Sequence, residues 1–301
     1  MIKSITAINY IGESITLDLM YPEKSGFAVL DINGLGPSKA NINVIDLSSS
    51  DGSTFNSARV DKRNIVISLK LLAQPTIELI RHKSYKYFPL KKLIKLIIET
   101  DTRICETYGY VESNEPVIWS GQESTQISIV CPDPNLYASN LNMTLFSGVE
   151  SKFKFPFSNE SLTNNLIIMG DIITIPEKTV YYEGDSEIGI TIRIHAIGQA
   201  TNVSIYNSKT RGVIKINTSI LITLTGFGII TGDDIIVSTI KGKKSVLLLR
   251  SGIYTNILNC VNKDADWFQL TKGDNIFLFT AESGLINLQF KIENQTAYEG
   301  V

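Results

Sequence analysis

Few side chains in this sequence are equipped for chemistry, and their spacing decides how each is read. There are only two histidines, His82 and His195, far apart in the chain and without a Cys or His at ligand distance. A zinc or copper centre gathers several such ligands, so this pattern does not point to one. His82 stands between Arg81 and Lys83 on a helical pattern, which describes a solvated face. His195 alternates with Ile192 and Ile194 and reads as an outward strand residue. The carboxylate pairs are Asp233-Asp234 and Asp264-x-Asp266. Such pairs run acid–base catalysis or hold calcium, but both lie among turn residues, where aspartate caps its own backbone. Gly34-x-Gly36 and Gly226-x-Gly228 lack the rest of a phosphate-binding fingerprint, and no Gly-x-Ser-x-Gly elbow occurs. Trp119 and Trp267 could stack on a sugar. Trp267-Phe268 also alternates with Leu270, so one of these two aromatics is expected in a core. No residue is assigned as catalytic, metal-binding or cofactor-binding, and no cofactor is expected.

The elements that would carry these residues are mostly strands. The 301 residues are 43% hydrophobic, enough for two domains or one large all-β domain. Net charge is −2 with no long basic block, which argues against nucleic-acid binding as the main task. Cys105, Cys131 and Cys260 are odd in number and widely spaced, and are expected as buried free thiols. The sequence shows neither a secretory pattern near Met1 nor an apolar run of the ~18 residues that span a bilayer. Synthesis in the cytoplasm and no membrane insertion are therefore expected.

Strand-like runs cover Ser4 to Tyr10, Ser14 to Leu19, Phe27 to Ile32 and Asn64 to Leu72. One helix is predicted with Pro75 in its first turn and Thr76 or Gln74 as its cap, with Ile77, Ile80, Ser84 and Phe88 on one face and Pro89 stopping it. Leu90 to Thr100 fits either period and is assigned as strand. Arg103 to Ser113, Val117 to Ser120 and Gln126 to Val130 also read as strands, ended by Cys131-Pro132-Asp133-Pro134. The second half is predicted almost purely β, with short Ile-, Val- and Thr-rich runs between Gly and Asp turns, as in a sandwich. The expected division is 1–134, a connecting segment 135–165, and 166–301.

Asp51 to Leu72 carries the most distinctive pattern. A turn at Gly52 leads through Arg59 and Arg63 into a strand with Ile65, Ile67, Leu69 and Leu71 on one face. With Asp51-Gly52, Phe55, Arg59 and Arg63-Asn64-Ile65, this segment resembles the distal tail protein (Dit) family of tailed bacteriophages. Further matches are Glu78, Arg81 and Tyr85-x-Tyr87-Phe88, then Gly109-Tyr110-Val111-Glu112, then Ser128-Ile129-Val130-Cys131-Pro132-Asp133-Pro134. Asp266-Trp267-Phe268-x-Leu270-x-x-Gly273-x-Asn275 and Tyr298-Glu299-Gly300-Val301 follow in the same order.

The resemblance implies a mainly β protein. Its N-terminal domain would be a tail-tube-like β-barrel or sandwich with one helix, and a galectin-like β-sandwich would follow. It implies a structural virion protein and not an enzyme. Six copies would form a hub ring at the distal end of the tail tube, joining it to the baseplate or tail tip and the receptor-binding proteins. A head-to-tail contact must close on itself or grow into a filament, and a permanent ring contact buries roughly 2,000 Å² or more. A nearly neutral chain suits a channel through which DNA passes without specific binding. The segment with Asp51, Gly52, Arg59, Asp61 and Arg63 is placed at the ring contact, or else braces a turn within one subunit. A carbohydrate-binding module of the tail tip, contacting host cell-wall glycan, is the alternative function.

Overall fold

The computed structural model describes residues 1–46, 51–119, 123–151 and 170–301. The chain separates into two compact units. The first comprises Met1–Asn140 and Ala297–Val301, the second Leu141–Thr296. The predicted break after residue 134 therefore falls a few residues later. The strand that follows Pro134 still pairs with the first unit through Tyr137 and Ala138, opposite Glu106 and Cys105. Residues 297–301, expected in the second domain, return to the first unit. The connecting segment expected at 135–165 includes two strands, and its remaining residues, 152–165, lie outside the described part.

In the first unit the strands are β1 (Ile2–Ile8), β2 (Ser14–Asp18), β3 (Phe27–Asn33), β4 (Ala40–Asp46), β5 (Ser53–Val60), β6 (Arg63–Leu71), β7 (Leu93–Thr100), β8 (Ile104–Val117), β9 (Ser124–Cys131) and β10 (Leu136–Leu145), with helix α1 (Ile77–Tyr87) between β6 and β7. The long β8 serves two sets of neighbours. Its first half pairs with β7, which continues to β1 and β2. Its second half pairs with β9, which continues to β6 and β3. A bulge between Val111 and Ser113 bends β8 between these roles. Both halves send alternate residues into one core: Ile5, Ala7 and Leu17; Ile65, Ile67 and Leu69; Ile94, Leu96 and Ile98; Ile127 and Ile129. Period two is thus obeyed on β6 as predicted, and Leu93–Thr100 is a strand. The separate strand expected at Val117 to Ser120 is absent over 118–119, because β8 runs unbroken through Pro116 to Val117; Ser120 is outside the described residues.

Helix α1 begins at Ile77, so Pro75, expected in its first turn, lies just before the cap. Thr76 is the N-cap, its hydroxyl accepting from the Leu79 amide at 3.3 Å. Ile80, Ser84 and Phe88 are buried against the core.

The second unit contains β11 (Ser147–Ser151), β12 (Gly170–Thr174), β13 (Glu177–Tyr182), β14 (Ile188–Gly189), β15 (Thr191–Ala196), β16 (Val203–Asn207), β17 (Gly212–Ile216), β18 (Asp234–Ser238), β19 (Ser245–Arg250), β20 (Ile253–Asn256), β21 (Gln269–Leu270), β22 (Gly273–Thr280) and β23 (Leu288–Tyr298), whose last residues re-enter the first unit. One antiparallel sheet runs β13-β22-β16-β17 and another β23-β15-β18-β19-β20. The two meet through aromatic rings: Phe279 of β22 stacks on Phe290 of β23 at 4.2 Å, and Phe146 meets Phe279 edge-on at 4.6 Å.

This unit also holds a helix the pattern reading did not predict, α2 (Thr218–Thr225). Its Ile- and Thr-rich sequence reads as strand by propensity. Its ends overrule that. The Asn217 side chain accepts from the Ser219 and Ile220 amides, and Gly226 closes the helix in the left-handed region at φ 80°.

Candidate assembly surface

β4 and β5 form a two-stranded sheet of their own, and every residue in both strands is exposed. The register explains what this arm displays. Ala40 faces Val60 and Ile42 faces Ala58. A bulge between Asn43 and Val44 then brings Val44 opposite Phe55. Without that extra residue, Asn56, the alternation would send Phe55 to the other side. One face of the arm is therefore apolar and unburied, with Ile42 59%, Val44 52%, Phe55 64% and Val60 53% exposed. The opposite face carries Asn41, Asn43, Ser57 and Arg59, which line a hollow together with Ala58, and toward the far end the exposed Ile45 opposite Thr54. A lone two-stranded ribbon is marginal in water, and a continuous uncovered apolar face marks a contact site.

The five residues proposed from sequence fall around this arm but do not share one environment. Asp51 and Gly52 are exposed at the start of β5, Gly52 with φ 97°. Arg59 and Asp61 pair at 3.6 Å, with side chains 77% and 44% exposed. Arg63 is different. It opens β6 and is 2% exposed. Its Nη1 donates to the Gly34 and Gly36 carbonyls, both at 2.6 Å, its Nε to the Pro134 carbonyl and its Nη2 to the Glu299 carbonyl, both at 2.7 Å. Arg63 is thus spent within its own subunit and cannot make a forked pair across a subunit boundary. Burial pulls its pKa below the ordinary guanidinium value, partly offset by the nearby Cys131 and Asp133, and it remains a cation. The turn it grips needs glycine: a Cβ on Gly34, at φ 88°, would lie 1.9 Å from the Asn64 carbonyl oxygen.

Charge drew the sequence reading to Arg59 and Asp61 and away from the apolar face. Ala40, Ile42 and Val44 alternate in the sequence, but 40–46 is not among the strand-like runs predicted from it.

The remaining chemical candidates stay apart. His82 is solvated, 4.0 Å from Glu78. His195 Nδ1 lies 2.7 Å from Asp234 Oδ1 on a half-exposed surface. Its neighbour Asp233 is buried and occupied elsewhere: Arg250 donates Nε to Oδ1 at 2.8 Å and Nη2 to Oδ2 at 2.6 Å, and the Ile230 amide donates to Oδ2 at 2.9 Å. The Asp233-Asp234 pair is therefore split between a turn and a strand. Asp266 accepts from the Thr210 hydroxyl at 3.1 Å. Among the described residues no group of three His, Cys, Asp or Glu converges as metal ligands would. The three cysteines are buried and free. Phe268, not Trp267, is the aromatic in the core, and Lys244 lies 5.5 Å from the Trp267 ring centroid. Trp119 is 97% exposed. A cleft beside α1 holds Asp18, Lys24 and Lys83, but Lys24 is paired with Asp18 and Lys83 donates to the Ser25 carbonyl.

No protein-family model and no curated protein matches this sequence. Among solved structures, the chain is similar to the Dit protein of phage SPP1, described as a paradigm of hub adsorption apparatus in phages infecting Gram-positive hosts. The TM-score is 0.65 at 14% identity, over 97% of this chain and 98% of that one. It is more distantly similar to the phage P2 baseplate in its activated conformation. With Ca the TM-score is 0.47 at 10% identity over 98% of both chains, and with Sr 0.47 at 11% over 97% of both. The match to the SPP1 protein covers both units, so this chain, mainly β with two α-helices among the described residues, has a Dit-like fold.

Proposed function

We propose that this chain is a structural hub protein of a phage tail, a component of the virion near the baseplate and not an enzyme. Six copies would close a ring at the distal end of the tail tube and connect it to the tail tip and receptor-binding proteins. In this reading the first unit is the tube-like, ring-forming domain and the second a galectin-like sandwich. The observation that carries it is the β4–β5 arm, an amphipathic ribbon with its apolar face in water on a chain with a Dit-like fold. A neighbouring subunit covering Ile42, Val44, Phe55 and Val60 would remove that apolar surface from water. Each buried side chain of this size contributes roughly 1.5–3 kcal/mol. Asp51, Gly52, Arg59 and Asp61 would border the contact, where exposed charges set register more than affinity.

The test is direct. Light scattering and negative-stain imaging of the purified chain should show a six-fold annulus. The double substitution Ile42→Ser and Phe55→Ser should give monomers with unchanged circular dichroism. A wild-type chain that stays monomeric at high concentration would sink the proposal, as would rings that survive the double substitution.

A further inference from the structure

Among the described residues the arm has no further sheet partner, so its direction is set at its root, and Arg63 sits there. Gly34 and Gly36 lie just before β4, and Arg63 is three residues after β5 ends. One guanidinium thus grips the outgoing side of the arm and is covalently part of the returning side. The Asp61 amide donates to the Lys39 carbonyl at 3.1 Å, closing the same root. Two other pieces of chain meet there. The Pro134 carbonyl accepts from Arg63 and from the Ser38 hydroxyl, at 2.7 and 3.4 Å. The segment Glu299–Val301 supplies the Glu299 carbonyl to Arg63, and the Val301 amide donates to the Leu35 carbonyl at 3.2 Å. Gly300 lies so close to the turn that a Cβ there would be 3.2 Å from the Leu35 oxygen and 3.3 Å from Gly36.

We infer that Glu299–Val301 is a latch that aims the arm through Arg63. The segment returns to the first unit only after the whole second unit has been traversed, so the arm would take its direction once the intervening chain is in place. Leverage makes this matter. Seven strand residues span roughly 23 Å, so a tilt of about 10° at the root displaces the far end by roughly 4 Å, well beyond what a packed interface absorbs. The clamp is rigid because a planar cation held by four carbonyls in a buried place cannot rotate without losing charged hydrogen bonds. The consequence for assembly rests on the arm being a ring contact, as proposed above; the latch itself does not.

The experiment reads arm position and assembly separately. Nitroxide labels on introduced cysteines at Ser53, in the far-end pair of the arm, and at Thr102, both exposed, report the arm's distance from the body of the first unit by pulsed electron resonance. The native thiols are buried. Two variants are compared with the parent, deletion of Glu299–Val301 and Arg63→Lys. The parent should give one narrow distance distribution. Each variant should shift or broaden it by roughly 4 Å or more and reduce the ring fraction. An unchanged distribution in both variants overturns the latch. So does global unfolding of both, since the clamp would then hold the whole unit and not the arm. A broadened distribution with rings undiminished supports the latch and overturns the arm as the ring contact. A monomeric parent with a narrow distribution that broadens in the variants also supports the latch and removes the ring reading alone.

Discussion

β5 and β6 are consecutive strands separated by Asp61 and Lys62, and the same kind of residue does opposite work in them. In β5, Phe55 and Val60 are 64% and 53% exposed, while in β6, Ile65, Ile67 and Leu69 are fully buried. Arg59 lies in water beside Asp61, and Arg63, four residues on, is sealed under four carbonyls. β6 carries more large aliphatic side chains than β5, yet the exposed Phe55 and Val60 show that composition alone does not set burial. What separates them is whether a second layer lies over the pleat. β6 has β3 and β9 as neighbours and a core beneath it, while β5 has only β4.

The sharpest test of this contrast is the arginine pair. Arg63→Ala should cost the fold roughly 3–5 kcal/mol, because buried carbonyls lose a charged donor that water cannot fully replace. Arg59→Ala should leave the melting temperature unchanged while weakening assembly. Equal effects of the two substitutions on chemical denaturation would break the comparison. Next is Ile67→Ala, expected to cost about 2–4 kcal/mol through lost burial and the cavity left behind. Ile42→Ala on the arm should stay within about 0.5 kcal/mol in the monomer. Guanidinium denaturation of both variants checks this.

A smaller effect separates buried from exposed ion pairs. Glu293 in β23 is 11% exposed and held by Lys291 at 2.7 Å and Arg193 at 2.9 Å. Burial alone would raise its pKa, but the hydrogen bonds from Lys291 and Arg193 outweigh that, and the net shift is downward. A carboxylate lowered in the folded state contributes stability above its unfolded pKa of about 4.3 and loses it as pH falls through the folded value. Glu293→Gln should therefore flatten the loss of melting temperature as pH falls below about 4.3. The smallest expected effect is that of Asp61→Asn on the arm, which should leave the melting temperature of the monomer unchanged.

Much of the first unit was legible before any coordinates. The alternation in β6 survives because a half-buried strand must follow the pleat, and α1 begins after Thr76 because its hydroxyl can satisfy an amide the helix leaves open. The glycines at Gly34 and Gly36 were readable as a turn, though not as the grip of a buried arginine. Helix α2 was missed because eight residues of Ser, Thr, Ile and Leu carry strand propensity, and only the Asn217 and Gly226 caps together overturn it. On the arm, the extra residue at Asn56 disguises the pairing that puts Val44 opposite Phe55.

Local rules sufficed wherever a residue's neighbours lie within a few positions along the chain: strand period, helix cap, turn glycine. The tertiary structure alone decided that residues 297–301 come home to the first unit, that Arg63 is inside and Arg59 outside, and that an apolar ribbon lies uncovered among the described residues. Each of these depends on segments up to 236 positions apart meeting at one point. No periodicity or propensity encodes such a meeting, because it arises from how whole sheets close and not from any stretch of chain by itself.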